Sequence, residues 1–372
     1  MNEHLELKEL IDGFREPKVI KKLSQILNQK AEKLDKNINI MEVCGGHTHT
    51  IMKYGLNQLM PKNISFAHGP GCPVCVMPKL KIDHAISLAK IDDVILCTLG
   101  DMIKVKGSLE TLANVRSQGH DVRFVYSPLD CIKIATQNPQ KKVIYFAIGF
   151  ETTTPMSAAL IESCLKMDIK NLYFCINHVS VPEPVEAILD THEAQIDALI
   201  APSHVSVITG AKIYQPIVDR FNIPIVVGGF EPIDVMQSVI LIVEQFLNKQ
   251  PKLEIEYSRA VNSDGNLKAQ QLCEKYFEKC DFNFRGLGVI KNGGLRLKER
   301  FDFLDGYKIF DKFLSKTDVA DDKLCICADI LRAVKKPTDC KLFGTICKPT
   351  NPIGSCMVSS EGACNAYFRY SM

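Results

Sequence analysis

Charge of one sign, long apolar runs and nucleotide-binding loops are all missing from this sequence, and each absence closes a class of function. The 372 residues carry 45 Lys plus Arg against 43 Asp plus Glu, a formal net charge of +2. Nucleic-acid and membrane-surface proteins usually carry a basic stripe, so neither kind of partner is expected. The opening residues, MNEHLELKELIDGF, mix acids into every turn and lack the charged-then-apolar layout of a secretory signal. The longest apolar stretches, such as VIYFAIGF, fall far short of a membrane span. A cytoplasmic location is expected. There is no G-x-x-x-x-G-K-[ST], no G-x-G-x-x-G after a strand and no H-E-x-x-H, so nucleotide handling of the standard kinds is not expected.

Cysteine is plentiful instead. Fifteen of them in a long chain without a signal do not read as a secreted disulfide scaffold, and clustered cysteines in a reducing compartment point to metal or redox work. Cys97 and Cys175 sit in apolar strand-like runs, and Cys131, Cys164, Cys273 and Cys280 stand alone; these six read as small buried or incidental residues. The others form three groups: Cys44, the pair Cys72 and Cys75, and six between Cys325 and Cys364.

Val19, Leu23, Ile26, Leu27, Ala31 and Leu34 have the spacing of an amphipathic helix over residues 18–35. Short runs rich in Val and Ile follow at 38–43, 93–100, 122–127, 142–149, 172–177, 198–203 and 223–229. They are continuous, not alternating, which predicts parallel strands covered on both faces and an α/β architecture. Helical spacing recurs at 82–89 and 233–248. KVIYFAIGFETTTP and IPIVVGGFEP each run strand, Gly-Phe-Glu, then Pro where a helix can start, a faint internal echo. Two such halves facing each other would bind a ligand beyond the carboxyl ends of their strands. The expected organisation is two Rossmann-like parallel-sheet domains, 36–135 and 136–248, facing a cleft, with a third, mainly helical and irregular cysteine-rich domain at 249–372. Residues 1–35 can pack on any of the three, the third among them, and the sequence does not say which.

The stretch CGGHTHT, Cys44 to Thr50, lies just past an expected strand end, where parallel sheets tend to carry catalytic groups. Cys44 can serve as a soft ligand or nucleophile, Gly45 and Gly46 leave room for another body at its sulfur, and His47 and His49 can shuttle protons there. The plainer reading makes the histidines core or capping residues and the threonines caps. HGPGCPVC holds Cys72 and Cys75 as a C-x-x-C pair ahead of Pro78, and a nearby helix start would favour their thiolates. In GFETTTP, Gly149 to Pro155, Glu151 either lines a cleft or belongs to an ordinary helix start. Asp101, His178 and His204 follow strands on the same expected edge. The tail reads C-x-C-x12-C-x6-C-x8-C-x7-C through Cys325, Cys327, Cys340, Cys347, Cys356 and Cys364. Four thiolates suffice for zinc or for an iron–sulfur cluster. The tail has no C-x2-C knuckle, and its two surplus thiols fit a cluster accompanied by a redox-active pair.

Taken together, CGGHTH, GPGCPVCV, GFETTTP and CKPTNPIGSCMVSSEGACNAYFRY closely resemble the HypD family of hydrogenase maturation proteins, in order and over essentially the full length. The resemblance implies a part in building the Fe(CN)2CO unit of nickel–iron hydrogenases, bound transiently in complex with a HypC-type small chaperone, with cyanide delivered by a HypE-type carrier. It implies that Cys44 holds the iron together with a cysteine of the chaperone, with His47 beside it, and that Cys72 and Cys75 are the family's dithiol. It also implies a [4Fe-4S] cluster on Cys325, Cys340, Cys347 and Cys364, leaving Cys327 and Cys356 as a thiol pair near it, an arrangement similar to ferredoxin-thioredoxin reductase. Electrons would then run from the cluster through Cys327 and Cys356 to Cys72 and Cys75. Two other readings remain: a general iron–sulfur thiol–disulfide reductase that carries no iron, and a passive scaffold with a zinc-stabilised tail.

Overall fold

The computed structural model describes residues 12–191, 193–317 and 319–371. In chain order the strands are β1 (Ile38–Glu42), β2 (Ile64–His68), β3 (Val94–Leu99), β4 (Asp121–Val125), β5 (Lys142–Gly149), β6 (Leu172–His178), β7 (Ala198–Pro202), β8 (Ile225–Gly228) and β9 (Leu253–Ile255). They build two parallel sheets, ordered β2-β1-β7-β8-β9 and β4-β3-β5-β6. Every run expected from composition forms a strand, and the α/β class with two parallel sheets holds. The reason is burial on both faces: in β5 every position after Lys142 is buried, so no polar alternation survives. The two Gly-Phe-Glu echoes also end matching units, β5 leading to the helix Thr154–Lys166 in one sheet and β8 to Pro232–Leu247 in the other.

The sheets are interleaved along the chain, so the expected division at 135–136 does not separate them. β3 to β6 cross it as one sheet, while β1 and β2 join β7, with Ile40 opposite both Phe66 and Ala198. All the runs are similarly apolar, and apolarity names strands without naming their neighbours. The helix Pro17–Ala31 packs with the first sheet, in a core that Ala366 of the tail also enters. Its Leu27 and Ala31 share a core with Val239 and Val243 of the helix Pro232–Leu247, and Arg15 forks onto Glu231 at 2.6 and 2.7 Å.

The segment after β9 holds helices and irregular turns, and with them a hairpin that was not expected. The helix Leu267–Tyr276 stops where β10 (Phe277–Phe284) begins, and β10 pairs antiparallel with β11 (Gly288–Leu297). In LKAQQLCEKYFEKC, Cys273, Phe277 and Cys280 happen to continue the helical spacing, which hides the switch. The signal for the strand is the alternation at its end, where Phe282 and Phe284 are buried and Asn283 is exposed. Gly286 and Gly288 take φ of +79° and +77° in the turn, conformations that favour glycine.

From Cys325 onward the chain is a series of short turns with the helices Cys327–Leu331 and Ala363–Tyr370. It ties to both sheets. Ser355 donates to the Cys75 carbonyl at 3.0 Å and Ser359 to the Asp101 carboxylate at 3.3 Å. Among the described residues no helix is long and apolar enough to cross a membrane.

Candidate functional site

The loops after β1, β2, β7 and β8 meet at the carboxyl edge of the first sheet, the usual place for chemistry in such folds. Cys44 follows β1 in an extended conformation and caps the helix Gly45–Lys53, its sulfur accepting the Gly46 N–H at 3.3 Å. His204, in the helix Ser203–Thr209 that follows β7, brings its ring nitrogens to 3.9 and 4.0 Å from that sulfur. Burial, and then the nearby Glu361 carboxylate, push the Cys44 thiol well above its ordinary pKa. The bare thiol is therefore protonated at neutral pH.

The glycines around it serve close packing of the chain on itself. A β-carbon at Gly45 would strike the Glu361 carbonyl, and one at Gly46 would lie 2.9 Å from the Phe230 ring. At Gly71 it would run into the backbone of Cys44. Gly71→Ala should thus cost more than about 2 kcal/mol, because backbone cannot yield as a side chain can. Gly100→Ala, which meets nothing within 4 Å, should be nearly neutral. Equal urea midpoints for the two variants would rule out this contact.

His47 does not use its ring on the thiol. Its Nε2 donates to the carbonyls of Gly228 and Gly229 at 3.2 and 3.1 Å, and the ring packs on Phe230 with centroids 4.5 Å apart. Burial holds its pKa down at about 4, so it is a neutral latch between the first and fourth loops. His49 lies against Tyr370, with centroids 5.1 Å apart. The imidazole in reach of the sulfur is that of His204, also held at about 4 by burial.

Below Cys44 runs a buried polar network that no sequence motif announces. Glu42 lies in register with His68 on the adjacent strand. Its carboxylate accepts the Cys44 N–H at 3.1 Å, the Thr48 hydroxyl, and His68 Nδ1 at 2.6 Å; His68 Nε2 meets the Tyr367 hydroxyl at 2.9 Å. Burial raises the Glu42 pKa, and His68 opposes the shift. The available signal was an acid inside the apolar run INIMEV, since a buried carboxylate requires partners.

Cys72 caps the single turn Pro73–Val76, accepting the Cys75 N–H at 3.3 Å. Cys75 gains no helix-end stabilisation of its thiolate: burial, and then the Cys356 and Cys72 thiols, raise it well above its ordinary range. The thiol favoured as an anion is Cys356, pulled down to about 6 by hydrogen bonds from Cys327 and Cys75. Cys327 likewise raises Cys325 and Cys364, acting as the largest influence on both. Thiols from distant parts of the chain are therefore successive neighbours, Cys72 beside Cys75, Cys75 beside Cys356 and Cys356 beside Cys327, a sulfur line in that sense. None of the cysteines is disulfide-bonded.

On the second sheet's edge, Glu151 follows β5 and accepts the Val181 N–H at 2.9 Å through one oxygen, while its other oxygen is buried with no partner among the described residues. Burial raises its pKa from 4.5 to about 7. The folded protein then holds a proton that the unfolded chain releases at a lower pH, so this residue lowers stability as pH rises from about 4.5 to 7. Glu151→Gln should gain up to about 3 kcal/mol at pH 8 and little at pH 5, because a tenfold difference in proton affinity between folded and unfolded chain is worth about 1.4 kcal/mol. Urea unfolding at both pH values checks it; an equal gain at each would show that ionisation is not the cause. His178 nearby bonds the Gly149 carbonyl at 3.3 Å and Ser157 at 2.8 Å, a satisfied core residue.

Residues 18–371 match the family described as "HypD: Hydrogenase formation hypA family". The chain belongs to the HypD family. It is 44% identical over 367 residues to the hydrogenase maturation factor HypD2 of Bradyrhizobium diazoefficiens, covering 96% of each chain. It is 43% identical to HypD of Azotobacter vinelandii, over 97% of this chain and 96% of that one. With HypD of Escherichia coli the identity is 40%, over 97% of each.

In this HypD-family chain the tail can be tested for its fit to an iron–sulfur cluster. Cys325 and Cys364 both lie against Cys327, and Cys347 feels Cys325 and Cys327 electrostatically. Cys340 closes the turn Pro337–Asp339. Among the described residues, no three His, Cys, Asp or Glu stand at metal-holding positions. Thiol donors are of the type a cluster takes, and Gly354 lets the tail pack tightly on two of them, since a β-carbon there would strike the Cys327 and Cys325 sulfurs.

Proposed function

We propose that this chain is a hydrogenase maturation factor that holds iron at Cys44 while cyanide is placed on it, with its own thiols supplying the electrons. The observation that carries the reading is the sulfur line from Cys327 to Cys72, which ends one residue from Gly71, packed on the Cys44 backbone. A soft sulfur suits low-spin iron. Because the buried Cys44 thiol is protonated, iron capture must displace that proton, and the neutral His204 ring is the group at hand to receive a hydrogen bond from it.

Cyanide delivery from a carrier's thiocyanate group needs two electrons. Cys72 and Cys75 supply them on closing to a disulfide and release two protons; the carrier's S–CN bond breaks, its sulfur takes one proton and leaves as a thiol, the other proton goes to solvent, and cyanide passes to the iron. Cys356 then attacks the Cys75 sulfur and frees Cys72, and Cys327 attacks Cys356 to free Cys75. The oxidation ends as a Cys327–Cys356 disulfide. A [4Fe-4S] cluster held by Cys325, Cys340, Cys347 and Cys364 would supply electron transfer beside that pair. One protein sulfur leaves the iron under-coordinated, which is why a HypC-type chaperone is expected to add a ligand and a HypE-type carrier to dock. Free cysteines in such number fit the cytosol.

The test is an infrared spectrum of the anaerobically purified chain with its small chaperone. Metal-bound cyanide stretches are expected. Their absence, together with turnover of generic disulfides by the chain alone, would favour a thiol–disulfide reductase.

A further inference from the structure

Two separate cavities border the sulfur line. A narrow cleft is lined by Cys72, Cys75 and Cys356, under the Cys44 loop. A larger cavity of about 330 Å³ is lined by Lys79, Lys106, Ser108, Arg285, Cys325 and Cys327. Cys356 thus lines the cleft on the Cys44 side and its neighbour Cys327 lines the larger cavity.

Arg285 makes the larger cavity chemically specific. It is only 8% exposed, and its Nε and Nη2 are buried without a hydrogen-bond acceptor among the described residues. The Asp321 carboxylate is 3.5 Å from Nε and is shared with Lys79 at 3.4 Å, so it neutralises the guanidinium without filling its fork. The backbone N–H of Arg285 donates to the Val76 carbonyl at 2.8 Å, which pins the arginine between the hairpin turn and the Cys75 loop. A planar fork with free donors matches a carboxylate. Three cations against Asp321 and Asp322 leave the lining net positive.

We infer that this cavity admits an anionic low-molecular-weight thiol, a compound bearing a carboxylate near its sulfhydryl, which reduces the Cys327–Cys356 pair. The inference rests on the proposed role of that pair. With the carboxylate on Arg285, the ligand's thiolate attacks the Cys327 sulfur, the protein S–S bond breaks, and Cys356 leaves as a thiolate. A second ligand thiolate attacks the mixed disulfide, frees Cys327 and departs as the ligand disulfide. Two ligand thiols are oxidised, one protein disulfide is reduced, and the two ligand protons end on the protein thiols or in solvent.

The experiment oxidises the full-length chain, maps the disulfide by peptide mass, and times its reduction by mercaptosuccinate and by 2-mercaptoethanol at equal thiolate concentration. Wild type should favour mercaptosuccinate by about tenfold or more, a gain of the size charge attraction supplies. Arg285→Gln should bring the two rates together while leaving the 2-mercaptoethanol rate unchanged, which also certifies its fold, and Arg285→Lys should keep part of the preference. An undiminished preference in Arg285→Gln overturns the inference. If no Cys327–Cys356 disulfide is found, the reading of the pair fails, and the anion site is judged separately by calorimetry with succinate. Saturable binding lost in Arg285→Gln supports the site, and no binding to wild type ends it.

Discussion

Serine at position 44 should yield a protein that folds normally and assembles no iron–cyanide group. The two halves of that outcome have separate causes. Cys44 caps the helix Gly45–Lys53 through its sulfur, which accepts the Gly46 N–H, and a serine hydroxyl is at least as good an acceptor there. Its backbone N–H still donates to Glu42, so the network below stays intact. The unfolding free energy from urea titration should therefore change by less than about 1 kcal/mol, within the range of a cap exchange. A hard oxygen is a poor substitute for sulfur on low-spin iron. Maturation should drop by more than about 100-fold, beyond the loss typical of changes to residues that only support a ligand. Hydrogenase activity in cells relying on the variant, and cyanide bands from the purified complex, are the measurements. Normal activity in Cys44→Ser would remove Cys44 from the iron.

The parts legible in the sequence share a property: their signal is local. Buried parallel strands announce themselves because β5 needs no information from its neighbours to be apolar at every buried position. The motif loops are likewise local, so Cys44, Cys72 and Cys75 stand out by composition. What escaped depends on pairing. Sheet order decides that Glu42 meets His68, and no count of residues in INIMEV or HGPGCPVC reveals that register. The same holds for the histidines. In CGGHTHT, His47 lies three residues from Cys44, yet the helix it belongs to turns its ring toward Gly228 and Gly229, and His204 arrives from 160 residues away. Arg285 was invisible for a related reason, since its importance comes from missing partners in a wall built by several segments.

Cys356→Ser should uncouple the two thiol pairs. Cys356 is the thiol that acts on both Cys75 and Cys327, and removing its sulfur leaves no exchange partner between the tail and the C-x-x-C loop. A serine fits the buried site without new bulk, so a folding defect is not the expected cause of failure. Once formed, the Cys72–Cys75 disulfide should persist under reductants that act at the tail, its reopening slowed by about a thousandfold or more, because an alcohol cannot enter thiol–disulfide exchange. Cys273→Ser, on a half-buried cysteine outside the line, should reopen at the wild-type rate. Alkylation followed by mass measurement reports the oxidised fraction against time. Rapid reopening in Cys356→Ser would mean that reductant reaches Cys75 directly through the narrow cleft. The tail would then be a structural partner of the iron site and not its source of electrons. The distinction is physical: Cys356 sits against Ser355, whose hydroxyl holds the Cys75 carbonyl at 3.0 Å, so the tail is tied to the loop whether or not electrons pass. Only loss of exchange with that tie intact assigns the sulfur a redox role.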